Sequence, residues 1–484
     1  MRKLFTAAIM ALGLGFTSAH AGGLLTNTSL HILYLRSVAR NASTKIDAVY
    51  YNPAGLAFTK EGFQLSVNSQ SAFQKRIINT TFAPFAYNGG SPTKEFVGTA
   101  SAPVIPSVMA VYKKGDWAFS AMFGLTGGGG KASFSGGLGS YESIVSLIPA
   151  FTSKLAPQLG IKRYDLSSEL QGHQYVFGTQ LGAAYKINKY LSAAAGIRIN
   201  YVNDRYSGFV SSIKVNDPQG AMVPATAYFM TLANNLASTN PAAATQMKLL
   251  AGATGDKKLE VSQRGWGITP IIGLNFNYEK FNFGLKYEFN THLNVENKTK
   301  ENTTGDEKFK NGIDTPHDIP AMLALGASYH ILPSVTASLG YNYFFEKQTK
   351  MQGDKQKFLK HGTAEYLAGV EWSVNRWLDL SAGLQLTRNG ATDRFMEDMS
   401  FNLNSNSVGF GAGFNLTDKM TINVAYFVSK YKKFTKESEI YNNLPTRLEG
   451  LGLPQNLAAF ASIPGKEVFS RTSKVFGIGI DYRF

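Results

Sequence analysis

The chain has no cysteine among its 484 residues. That excludes a disulfide framework, a thiolate metal site and a lipid-bearing N-terminal cysteine. Long apolar runs are missing too. Beyond the N-terminus no stretch reaches the roughly 18 apolar residues of a membrane-spanning helix, and mean hydropathy is only −0.12. Histidine is scarce. His31, His173, His292, His317, His330 and His361 show no paired metal-ligand spacing, and no G-x-S-x-G elbow stands at a strand-to-helix turn. His292 and His330 read as lumen wall residues, on the wrong face for a lipid-facing catalyst. The glycine run Gly127–Gly130 precedes Lys131 as in a phosphate loop. Leu125 replaces its first glycine, however, and Ala132 its Ser or Thr. These absences point away from an enzyme, a metal or any cofactor.

What the sequence does contain is glycine (48), phenylalanine (33) and tyrosine (23), arranged in alternation. In 282–296, Phe283, Leu285, Tyr287, Phe289, Leu293 and Val295 stand at odd positions. Asn282, Lys286, Glu288, Asn290, His292 and Glu296 stand at even ones. A strand turns successive side chains to opposite faces, so this segment has a greasy face and a wet face. About fourteen such segments fit an all-β, 14-stranded antiparallel transmembrane β-barrel. They lie near 63–74, 106–113, 117–125, 173–187, 191–206, 259–278, 282–298, 320–331, 335–348, 361–374, 377–389, 403–416, 420–434 and 469–484. Tight turns at 114–116, 188–190, 279–281, 332–334, 375–376 and 417–419 alternate with longer loops, the longest being 126–172, 207–258 and 435–468. Outer-membrane barrels place short turns in the periplasm and long loops outside, which puts both mature termini in the periplasm. Trp117, Tyr278, Trp372, Trp377, Tyr482 and Phe484 cluster at the short-turn end as an interfacial girdle. The alternating terminus Phe476, Ile478, Ile480, Tyr482, Phe484 resembles the signal by which the barrel-assembly machinery recognises its clients.

The first 21 residues read as a secretory signal, with Arg2 and Lys3, an apolar core Leu4–Phe16, and Ala19-His20-Ala21 at the cleavage site. Its removal lowers the formal charge from +15 to about +13. The remaining basic residues form no single stripe, which argues against nucleic acid. Many lie in loops, where they suit the lipid and lipopolysaccharide of an anionic outer leaflet. Some loops are apolar at helical spacing: Ile144, Leu147, Ile148, Phe151 and Leu155 around Pro149, then Tyr228, Phe229, Leu232 and Leu236 after Pro224. Ile148, Phe151, Phe229 and Leu232 are candidates for capturing a hydrophobic ligand, with a self-packed cap as the alternative.

Residues 22–62 precede the first strand and suit a plug in the lumen, leaving 63–484 as barrel. They carry Asn52-Pro53-Ala54, where Pro53 fixes φ and Asn52 is suited to a local turn. A barrel of this strand count, with that tripeptide in an N-terminal hatch, resembles the FadL/TodX family of outer-membrane transporters. The resemblance implies passive uptake of long-chain fatty acids or other hydrophobic compounds by a monomer. It also implies a kinked third strand that opens sideways to the membrane. Gly124, Gly127 and Gly128 are the candidate positions for that opening. Met109, Met122, Val176, Ile271, Phe344 and Phe427 are apolar at inward positions, and Arg198 and Lys286 are candidates to receive a carboxylate. A general porin for polar solutes, or a loop-dominated adhesin, is the alternative function.

Overall fold

The computed structural model describes residues 28–450 and 458–484. The signal-peptide assignment lies outside them, as does part of the apolar loop 444–460. Fourteen strands cross in one closed antiparallel sheet. They are β1 (Gly62–Phe82), β2 (Thr93–Lys114), β3 (Trp117–Phe134), β4 (Tyr164–Lys186), β5 (Leu191–Asn216), β6 (Lys257–Tyr278), β7 (Phe281–Glu288 and Asn294–Asn302) and β8 (Asp314–Pro316 and Met322–Leu332). β9 (Val335–Phe344), β10 (Thr363–Asn375), β11 (Leu378–Arg388), β12 (Ser405–Thr417), β13 (Met420–Tyr431 and Phe434–Ser438) and β14 (Gly465–Arg483) complete it. Each strand pairs with the next in sequence, and β1 also pairs with β14 from Gln64↔Arg483 to Phe82↔Gly465. No edge is left open, as hydrocarbon requires.

The physical cause of closure is the alternation. On β14 Phe476, Ile478, Ile480 and Tyr482 are exposed on the outer wall, and on β3 Trp117, Phe119 and Phe123 are as well. Glycine or polar residues occupy the intervening inward positions. Every short connection expected from the sequence is present, all at one end of the barrel. The girdle residues Trp117, Tyr278, Trp372, Trp377, Tyr482 and Phe484 are exposed there.

Two expectations are corrected. The outer ends of the early strands run further than their apolar alternation: β2 begins at Thr93, not 106, and β5 is 26 residues long. A tilted strand crosses the hydrocarbon in about 9–11 residues, so the surplus continues beyond it, where no outward apolar face is demanded. The alternation of 282–296 is also not continuous. β7 breaks at 289–293, where the Phe289 N–H donates to the Pro270 carbonyl at 3.0 Å and Thr291 bridges Ile319. The irregularity reverses the parity. Lys286 and Glu288 face inward below the break, whereas Thr291, Leu293 and Val295 are buried above it. His292 is thereby exposed, its side chain 77% accessible, and does not face the lumen.

Candidate transport pathway

Residues 28–61 fold inside the barrel. Two short helices, α1 (Ile32–Arg36) and α2 (Ala48–Tyr51), lead into a 3₁₀ turn, Pro53–Phe58. His31 caps α1 by accepting the Leu33 N–H, and its Nε2 lies 3.0 Å from Asp481 Oδ1 on β14. From there the segment is tied around the wall. Tyr34 Oη donates to Gln385 on β11 (2.6 Å), Asn41 to Asn342 on β9 (2.9 Å), and Gln180 on β4 to the Val49 carbonyl (2.7 Å). Arg40 pairs with Asp47 inside the segment (2.6 Å) and with Glu371 on β10. Close approach demands glycine on the wall: a Cβ at Gly284 would overlap the Asn41 carbonyl, and one at Gly409 that of Leu35.

Asn52, Pro53 and Ala54 lie at the centre of this contact. Asn52 Nδ2 donates to the Ser43 carbonyl (3.0 Å) and to Asn275 Oδ1 on β6 (2.7 Å). Asn52 therefore joins segment to wall, in place of the local turn bond expected from its sequence context. Pro53 starts the 3₁₀ turn, where its missing N–H costs nothing. Ala54 offers its carbonyl to Ser192 on β5 at 2.7 Å.

The lumen candidates all prove to be buried. Met109, Met122 and Phe427 pack with Leu30, Tyr34 and Leu35 of the N-terminal segment. Val176 and Phe344 join Val202, Leu293, Val295, Ile319 and Met322 in a separate apolar cluster. Ile271 is buried on β6. Arg198 and Lys286 are not free for a substrate carboxylate. Glu288 holds Arg198 in a two-point pair (2.7 and 2.8 Å) and Lys286 at 2.7 Å, and both cations lie over the Tyr50 ring. Two cations with one carboxylate, desolvated together, are bound to each other more firmly than to a passing ligand.

The loop candidates likewise turn inward. Helices α3 (Gly139–Leu155), α4 (Ala225–Leu236) and α5 (Pro241–Ala253) form with Pro149 inside α3 and Pro224 capping α4. Ile148 and Phe229 are fully buried, and Phe151 and Leu232 pack on the same cluster with Phe82, Phe85, Tyr141 and Phe469. The alternative of a self-packed cap describes them, because their apolar faces find one another before they meet solvent. Asp398 accepts the Ser140 N–H at the start of α3 (2.8 Å), and burial pushes its carboxyl above the ordinary range.

The wall itself has one long interruption beside the candidate glycines. β2 and β3 pair from Lys114↔Trp117 to Ser107↔Gly124, then again only at Ser101↔Lys131. Between them 102–106 and 125–130 are unpaired with each other. β2 carries Pro103 and Pro106 in this stretch, and proline cannot donate to a ladder. β3 shifts register twice against β4, around Leu125/Gly127 and Gly128/Gly130. Gly128 has φ +114, and a Cβ there would overlap the Gln174 carbonyl. Ser71 Oγ donates to the Pro103 carbonyl (2.6 Å), and Thr126 Oγ1 to that of Val176 (3.2 Å). Side chains thus satisfy groups that the broken ladder leaves over. The N-terminal segment reaches this edge, since Ser107 Oγ donates to the Leu30 carbonyl. Gly124 faces Leu30 and Ser107, not the gap. The prolines of β2 are the feature that glycine-based reasoning missed.

Beneath the N-terminal segment, at the short-turn end, lies a cavity of about 420 Å³. Arg36, Lys45, Lys60, Asp379, Asp418, Lys419, Asp481 and Arg483 are among its lining residues.

No family model matches the chain, and no curated protein matches it in sequence. Solved structures do match. A FadL homologue of Pseudomonas aeruginosa is similar at a TM-score of 0.61 and 12% identity, over 96% of this chain and 100% of that one. The Pseudomonas putida toluene transporter TodX gives a TM-score of 0.52 at 13% identity, over 91% and 95%. The Ralstonia pickettii toluene transporter TbuX gives 0.50 at 13%, over 91% and 94%. At these identities the likeness establishes the fold, and the resemblance drawn from strand pattern and Asn52-Pro53-Ala54 holds at that level.

Proposed function

We propose that this chain is a FadL/TodX-type channel of the outer membrane of a diderm bacterium, taking up hydrophobic compounds without an energy-coupling cofactor. The signal peptide exports it, the assembly machinery inserts it, and it works as a monomer with both mature termini in the periplasm. Residues 22–62 are its hatch. The observation that carries this reading is the unpaired stretch of 102–106 against 125–130 beside a lumen filled by that segment. A solute gains about 0.8 kcal/mol per CH₂ on leaving water. The straight route would carry it past the charged cavity under the hatch, whereas the gap between β2 and β3 leads into lipid. Apolar clusters inside the barrel support a hydrophobic cargo over the polar solutes of a general porin.

The test is differential permeability. Cells displaying the protein should take up a labelled hydrophobic tracer faster than cells without it, with no matching rise in sugar permeability. Equal gains for both solutes, or a gain for sugar alone, would support the porin instead.

A further inference from the structure

Arg76 on β1 and Arg471 on β14 stand directly opposite each other in the strand register. Both face the interior, having the parity of their buried neighbours Ile78 and Phe469. Like charges opposed across a strand pair destabilise it, and a desolvated guanidinium needs a partner. Neither arginine belongs to an ion pair among the described residues. No residue outside the described range is Asp or Glu, so no carboxylate is supplied from there. The Nε atoms of both arginines are buried without a hydrogen-bond partner. Arg471 donates to Gln74 at 2.6 Å and lies 4.8 Å from the Tyr431 ring centre, and Arg76 lies 5.9 Å from that of Phe401. Ser405, opposite Tyr431 in the β12–β13 pair, has a buried hydroxyl that also lacks a partner.

Apolar surface flanks this group along the strand in both directions. Toward the long loops the Phe401 and Phe469 rings stack at 5.1 Å. Toward the hatch Val475 packs on the cluster that contains Phe427. We propose that the Arg76–Arg471 pair receives the carboxylate head of an amphiphilic substrate whose alkyl chain lies along these apolar neighbours. Planar guanidinium forks match a carboxylate in two-point contact, and its charge removes the repulsion between them. The inference rests on the uptake reading above and names its substrate class: long-chain carboxylates in preference to neutral hydrocarbons. It replaces Arg198 and Lys286, whose charge Glu288 already meets.

The test uses full-length protein in a non-ionic detergent, titrated with oleate and with oleyl alcohol. Wild type should bind oleate roughly 10- to 100-fold more tightly than the alcohol, as charge-assisted bonds imply, with the margin shrinking as salt rises. R76Q/R471Q should lose that margin and keep its affinity for the alcohol, while R76K retains part of it. Heat-modifiable gel migration checks that each variant is folded. A folded R76Q/R471Q protein with the margin intact, a wild type with no margin, or displacement of oleate by equimolar inorganic phosphate would each overturn the proposal. Failure of the parent reading looks different: oleate binds through these arginines, yet no hydrophobic tracer is taken up faster.

Discussion

At the residue scale the interior is governed by charge pairing. Lys286 and Glu288 sit two apart on one inward face, and Arg198 reaches Glu288 from a neighbouring strand. The first of these relations is legible in sequence, since alternate positions on a strand share a face. The second is not, because it depends on which strands become neighbours and in what register. Removing the single carboxylate leaves two buried cations uncompensated, which typically costs about 3–5 kcal/mol. Glu288→Gln should therefore lower the temperature at which the folded gel band converts to the unfolded one. An unchanged conversion temperature would mean that the Arg198–Glu288–Lys286 cluster contributes little to holding the barrel around its hatch. Asn52 carries a similar lesson: its tripeptide marks the hatch, but its partner Asn275 on β6 emerges only from the fold.

At the element scale β2 decides the account. If Pro103 and Pro106 keep the β2–β3 ladder open, replacing both with valine restores two N–H donors and favours continuous pairing. Uptake of hydrophobic tracer should fall toward that of cells lacking the protein, with surface display unchanged. Undiminished uptake would show that the prolines do not maintain the gap. Strand existence was largely legible in the sequence, because lipid imposes an outward apolar face on every crossing. The outer half of β2 was not, since Gly98, Pro103 and Pro106 interrupt its pattern. Nor was the parity change at 289–293, which arises where β7 meets Pro270 and Ile319 in space. The apolar helices of the loops were visible from their spacing, but whether Ile148 and Phe229 faced solvent or each other depended on how separate loops converge.

At the scale of the whole molecule, a closed wall, a filled lumen and one long unpaired stretch combine into a sideways route. Cysteine is absent from the sequence, so two introduced thiols react only with each other or with added reagent. The most direct test places cysteines at Ile105 and Leu125, on either side of the gap, and joins them with a short cleavable bis-thiol reagent. Hydrophobic tracer uptake is then followed before cross-linking, after it, and after cleavage. The account predicts normal uptake, loss on cross-linking and recovery on cleavage, with the protein folded and displayed throughout. Full uptake by the verified cross-linked barrel would contradict lateral passage between β2 and β3.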